Sequence, residues 1–202
     1  MNKSLSTFLK EIQKHNIFTF DKFNELTVKK KFSDITEHLT EQEIMLLNYS
    51  KINAQRTSRI LKTFKPNKNL ATIIKEISEP QTWIAITEDW CGDSAQNLPY
   101  FYKYSELNPQ ISFSIILRDS NLELVDKYFT EGNPRSIPKV VGFDTNGEEI
   151  FIWGARPKVA QNLVMKLKNE GYSKEDFNKE LHLWYSKNRG QELEKELIDL
   201  LK

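Results

Sequence analysis

From Thr82 onward the apolar residues of this chain recur with the periods of alternating strands and helices. TWIAIT (82–87) and ISFSIILRD (111–119) are short, β-branched and apolar on both faces, as strands buried within a sheet are. Between them, DSAQNLPYFYKYSEL (93–107) predicts a helix kinked at Pro99. SNLELVDKYF (120–129) predicts a second helix, with Ser120 and Glu123 as its capping box. PKVVGFDTNGEEIFIWG (138–154) predicts two strands joined at the turn signal Asn146-Gly147. PKVAQNLVMKLKNEG (157–171) predicts a helix with Val159, Leu163, Val164 and Leu167 on one face, closed by Gly171. The order β-α-β-α-β-β-α calls for a mixed α/β sheet. A right-handed crossover makes its first two strands parallel, and the late hairpin adds antiparallel edge pairing.

Helices flank this unit. Residues 1 to about 78 read as helical, with a weak apolar face at Leu5, Phe8, Leu9 and Ile12. A stronger segment, 40–64, opens on a capping box of Thr40 and Glu43. Its inner face is read as Ile44, Leu47, Ile52, Ile60 and Phe64, with a register that drifts midway. KPNK (65–68) ends it, and a short helix follows, ending near Pro80. After Gly171, Ser173 caps a helix carrying Phe177, Leu181 and Trp184; Gly190 interrupts it before a last amphipathic segment. The expected division is a helical N-terminal extension (1–68), an α/β domain (69–171) and a C-terminal helical extension (172–202) packed on the core.

With 29 basic and 28 acidic residues among 202, the net charge of +1 lacks the basic surplus of a nucleic-acid binder. The first twenty residues lack the apolar run of a signal peptide, and no stretch approaches the roughly 20 apolar residues that span a bilayer. One cysteine cannot form an internal disulfide, so a reducing cytoplasm is the expected compartment.

That cysteine, Cys91, lies in EDWCGDSAQ (88–96), between a predicted strand and a predicted helix. Unpaired N–H groups and the positive end of a helix dipole favour a thiolate there. Gly92 lets backbone come close to an incoming sulfur, and Trp90 shields one side. The negative charges of Glu88, Asp89 and Asp93 oppose a thiolate, while a hydrogen bond from Ser94 favours it. These influences act in opposite directions, and the sequence does not rank them.

WCGDS (90–94), RSIPKVVGF (135–143) and FDTNGEEIFIWGARP (143–157), in this order, resemble the active-site turn, the cis-proline segment and the terminal hairpin of the thioredoxin-like superfamily. The likeness covers about residues 70–170, and the whole chain is similar to bacterial proteins with an EDWCGD-type motif. It implies a thioredoxin-like fold in which the Cys91 turn faces Pro138, with Gly154 at the family's hairpin glycine. It also implies that Ile137 offers its backbone to an extended substrate segment. Trp90, Gly92, Asp93, Ile137 and Pro138 are thus the expected substrate-binding residues, and Cys91 and Ser94 the expected catalytic ones. The departures are specific. Ser94 stands where the family has its resolving cysteine, Asp93 where it has a proline, and Ala85 where it has a buried carboxylate.

A chain without the second thiol cannot complete a dithiol cycle. The expected activity is thiol–disulfide exchange through a mixed disulfide at Cys91: monothiol exchange, deglutathionylation or isomerisation. Protein thiols or disulfides, or glutathione as co-substrate, are the expected partners, with no resident cofactor, no metal, no nucleic acid and no membrane. The alternative is a non-catalytic thioredoxin-fold binding module with its partner surface on the helical flanks. A glutathione transferase is a third reading, disfavoured because most of the extra helix precedes the α/β unit. His15, His38 and His182 lack metal-ligand spacing and read as surface or interface residues. Arg56, Arg59, Lys62 and Lys65 read as a solvated basic stripe able to meet an acidic partner. Arg118 and Arg135 are candidates for a glutathione carboxylate.

Overall fold

The computed structural model describes residue 5, residues 17–122, residue 126 and residues 135–202. Five strands form one sheet: β1 (Ile17–Thr19), β2 (Gln81–Thr87), β3 (Ile111–Leu117), β4 (Lys139–Phe143) and β5 (Glu149–Gly154). Their order across the sheet is β1-β3-β2-β4-β5. Among the described residues only β2 and β3 run parallel, with Ala85 opposite Ile115; the other pairings are antiparallel. The parallel pair is joined through α4 (Gly92–Ser105), as the crossover rule requires. The sheet has an α/β thioredoxin-like arrangement, as expected. Part of the predicted 120–129 helix, including Glu123 of the expected cap, lies outside the described residues.

Alternation along β2 sorts its side chains between two layers. Trp83 and Ala85, both fully buried, enter the larger core with Phe101, Tyr104 and Ile115. Ile84 and Ile86 enter a smaller cluster on the other face, with Val141, Phe143, Ile137 and Cys91. The site is thus built on the second face, at the end of β2.

The flanks are continuous with these layers. From the N-terminal side come α1 (Phe20–Lys31), α2 (Glu41–Thr63) and α3 (Lys68–Glu76); from the C-terminal side come α5 (Lys158–Asn169), α6 (Lys174–Asn188) and α7 (Gln191–Leu200). Phe20 and Ile60 from one flank, and Leu193 and Leu197 from the other, belong to the same core cluster as Trp83. Burying such a side chain contributes about 1.5–3 kcal/mol. The Glu196 carboxylate of α7 also accepts from Trp153 Nε1 (2.7 Å) and from the Lys158 backbone N–H at the start of α5 (2.7 Å).

Local signals behave as the residues dictate. Thr40 and Glu43 form the capping box of α2. Ser173 Oγ accepts from Asp176 N and caps α6. Gly147 turns the β4–β5 hairpin at φ +77°. Three expectations change. Ile17–Thr19, inside a segment read as helical, is a strand pairing with β3. On α5 the inward residues are Ala160, Val164 and Leu167, while Val159 is exposed. On α2 the inward residues are Ser50, Asn53, Ala54, Thr57 and Ile60, and Ile52 is exposed. The drift in its apolar pattern is therefore a stretch of polar inner face, because that part of the helix meets the Cys91 turn rather than the oily core.

Candidate functional site

Cys91 is the N-cap residue of α4, with φ −75° and ψ 116°. Its side chain makes no capping bond; its Sγ donates instead to the Ile137 carbonyl at 3.2 Å. The Ile137–Pro138 peptide is cis, and both residues are buried. The structure thus brings together Cys91, Ile137 and Pro138. Gly154 lies behind them at φ +125°, where any Cβ would run into the Pro138 carbonyl oxygen.

The thiol is 7% exposed. Beneath it lies a cavity of about 10 Å³, room for about one water molecule, walled by α1, α2 and α4. Burial pushes the Cys91 pKa up to about 11, and the Asp93 charge adds to the rise. Hydrogen bonds from Ser94 and from the Asp93 backbone pull the other way and are outweighed. The helix-start position therefore does not yield a resting thiolate. Ser94 is itself engaged, its hydroxyl accepting from Thr87 Oγ1 at 2.5 Å.

Each acidic residue of the turn holds a different part of the molecule. Glu88, on the residue after β2, accepts from the Asp119 backbone N–H at 2.8 Å. Burial raises its pKa to about 7 against that bond, and the Asp119 and Asp89 charges raise it further. Asp89 faces the N-terminal helices: its carboxylate accepts from Ser50 Oγ (2.9 Å) and pairs with Lys30 (2.5 Å), and its carbonyl accepts from Asn53 Nδ2 (2.9 Å). Asp93 faces the C-terminal side. Its Oδ2 accepts from Arg156 Nε (3.1 Å) and Nη2 (2.5 Å), and its Oδ1 from the Tyr185 hydroxyl (2.6 Å). Asn97 Nδ2 completes this group, donating to the Asp93 carbonyl and to Tyr185 Oη. Asp93 is therefore committed to internal partners.

The space over Gly92 is also filled from within the chain. A Cβ there would lie 2.9 Å from His182 Cε1 and 3.4 Å from Arg56 Nη1. Burial, with Arg56 and Arg156 nearby, lowers the His182 pKa to about 3, so the ring is neutral. Its Nδ1 lies 3.3 Å from Gln96 Nε2. His182 lies at an internal interface, one of the two places expected from the sequence, while Arg56 is not the solvated residue expected of the basic stripe. His38 is exposed, and His15 lies outside the described residues. Trp90 is half-buried, with the Arg118 guanidinium 4.9 Å from its ring centre. Arg118 also bonds Asp119 and the Arg135 carbonyl, and Arg135 pairs with Asp126. Ala85 is fully buried and offers no carboxylate behind the thiol.

Residues 39–169 match the sequence profile of the family described as thioredoxin. The chain belongs to the thioredoxin family. Two solved structures share the fold of this thioredoxin-family chain. One is a protein of unknown function from Pseudomonas aeruginosa, 14% identical, with TM-score 0.61 over 98% of this chain and 97% of that one. The other is an HIV epitope-scaffold, 14% identical, with TM-score 0.54 over 91% of this chain and 98% of that one. Comparison with curated proteins finds no match. Among the described residues no helix is long and apolar enough to cross a membrane.

Sequence reasoning passed over Ser50, Asn53 and Arg156, and read Tyr185 only as a residue docking the C-terminal helix. A signal for two of them was present: Ser50, Asn53 and Thr57 continue the helical spacing that leads to Ile60, with polar side chains. Nothing local marks Arg156 or Tyr185 as partners of Asp93, which is 63 and 92 residues away in the chain.

Proposed function

We propose that this thioredoxin-family protein carries out monothiol exchange through Cys91. The observation that supports this is the 3.2 Å contact of Cys91 Sγ with the Ile137 carbonyl, beside Pro138. In the proposed cycle the Cys91 thiolate attacks one sulfur of a substrate disulfide. That S–S bond breaks, a mixed disulfide forms, and the other substrate sulfur leaves as a thiolate. Ser94 cannot displace the bound sulfur. An external thiolate such as glutathione attacks the substrate sulfur, forming a new disulfide and releasing the Cys91 thiolate. A reducing compartment such as the cytoplasm supplies that thiol. With a pKa of about 11, the thiolate at pH 7 is roughly one molecule in ten thousand. Burial is the largest cause, so exposing the turn to water is what activates the sulfur.

A second reading is a non-catalytic binding module. It is favoured by the same burial, and by three carboxylates that each fasten an element around a neutral thiol. The alkylation rate of Cys91 against pH in the folded protein, followed by intact mass, separates the two. Monothiol exchange predicts a rate rising about tenfold per pH unit from 7 to 10, and a mixed disulfide with oxidised glutathione that forms without denaturant. Modification only on unfolding would discard the exchange reading and leave the binding module.

A further inference from the structure

A wide cleft lies away from the Cys91 sulfur, between the C-terminal half of α2, the face of α4 that carries Gln96 and Tyr100, and the α6–α7 turn. Its volume is about 970 Å³, at the upper end of the roughly 300–1,000 Å³ of small-molecule sites. Five basic residues line it: Arg59, Lys62 and Lys65 from one wall, Arg189 and Lys195 from the other. The one acidic residue described in its lining, Glu194, is buried and its Oε1 accepts from the Tyr104 hydroxyl at 2.6 Å; its single charge leaves the five cations in excess. Lys195 pairs with Glu192. Among the described residues Arg59, Lys62, Lys65 and Arg189 pair with no carboxylate.

Cations that line one cleft without carboxylate partners repel one another. Arg56, three residues before Arg59 and outside the cleft, has its pKa lowered by burial and then by the Arg59 charge. Burial and then the Glu194 charge keep the Tyr100 hydroxyl protonated as a donor, while Arg59 and Arg189, from opposite walls, both act on it in the other direction. The chain as a whole is almost neutral, so the charge of the cleft is local rather than a reflection of composition.

We infer that this cleft binds a small molecule carrying two or more phosphate groups, with Arg59 and Arg189 gripping it from opposite walls. Arginine's planar fork suits phosphate oxygens, and a multiply charged anion relieves the repulsion among the cations. A polyanion seated there also touches Gln96 and Tyr185, the residues that contact His182 and Asp93 at the thioredoxin-family site.

The test is calorimetric titration of the full chain with inorganic pyrophosphate, and separately with ATP, at two salt concentrations. The expected result is saturable binding to one site, weaker at higher salt. Arg59→Ala and Arg189→Ala should each weaken it by roughly tenfold or more, with circular dichroism unchanged. Pyrophosphate and ATP binding equally would assign recognition to the phosphates; tighter ATP binding would add stacking on the cleft aromatics. Cys91→Ser must bind as the parent does, because the sulfur takes no part, so the exchange reading can fail without touching this one. No binding of either probe at millimolar concentration, or binding unchanged in the double arginine variant, overturns the proposal. So does binding of an oligo-glutamate peptide where pyrophosphate fails.

Discussion

The two sides of the Cys91 turn are fastened by carboxylates only four residues apart, in surroundings that differ. On the N-terminal side Asp89 takes a hydroxyl from Ser50 and an ammonium from Lys30, whose side chain is 49% exposed. On the C-terminal side Asp93 takes two bonds from Arg156, 19% exposed, and one from the buried Tyr185 hydroxyl. A half-exposed ammonium that loses its partner returns to water at little cost. A largely buried guanidinium and phenol that lose theirs keep the desolvation penalty. The C-terminal fastening is therefore the stronger, and α6 is the element whose position the turn depends on most.

The largest effect should come from Asp93→Ala, which leaves Arg156 and Tyr185 without their acceptor. It should destabilise by about 3 kcal/mol, read from urea unfolding. Since the Asp93 charge is the second cause of the raised Cys91 pKa, the same variant should alkylate faster at pH 8 while still folded. Equal stability to the parent would break the comparison at its stronger end. Next comes Tyr185→Phe, which removes a hydroxyl shared by Asp93 and Asn97. About 1–1.5 kcal/mol is expected, with hydrogen exchange rising first in α6.

Asp89→Ala comes third, at about 1 kcal/mol, because Ser50 and Lys30 can turn to solvent. A cost as large as that of Asp93→Ala would reverse the ranking. A separate prediction concerns the slope of stability with pH, where Glu88 and His182 should act with opposite sign. Glu88 has a folded pKa of about 7, above its ordinary 4.5. The native state then holds the extra proton, so this contribution to stability falls as pH rises from 4.5 to 7. His182 has a folded pKa of about 3, below its ordinary 6.5. Its contribution is complete above 6.5 and is lost as pH falls toward 3. In urea midpoints measured against pH, Glu88→Gln should remove the decline on the alkaline side, and His182→Gln the decline on the acid side.

How legible the site was depended on how local its cause is. The α4 start at Cys91 could be read from a strand ending at Thr87 and a polar turn before an amphipathic run. The capping box at Thr40 was equally plain, since both partners lie within one turn. The inner face of α2 was misread because apolarity was taken as the mark of the inside. Ser50 and Asn53 are inside because they bond a polar loop, a demand set by Asp89, 39 and 36 residues on. The strand at Ile17–Thr19 could not be read from three residues, since its partner is β3, about a hundred positions later.

The strands from Gln81 onward with the Gly92–Ser105 crossover helix, the hairpin turn and the missing second thiol were determined by the sequence alone, through backbone period, turn chemistry and residue identity. The state of the one thiol was not. At a helix start the dipole and the unpaired N–H groups favour a thiolate, while desolvation and a neighbouring carboxylate oppose it. Which prevails depends on how deeply the sulfur is covered and on where the Asp93 carboxylate is held. Ile137 and the strand residues of its cluster cover the sulfur on one side and the N-terminal helices wall the cavity on the other, while Arg156 and Tyr185 hold Asp93, and only the tertiary structure brings these distant parts of the chain to the same turn.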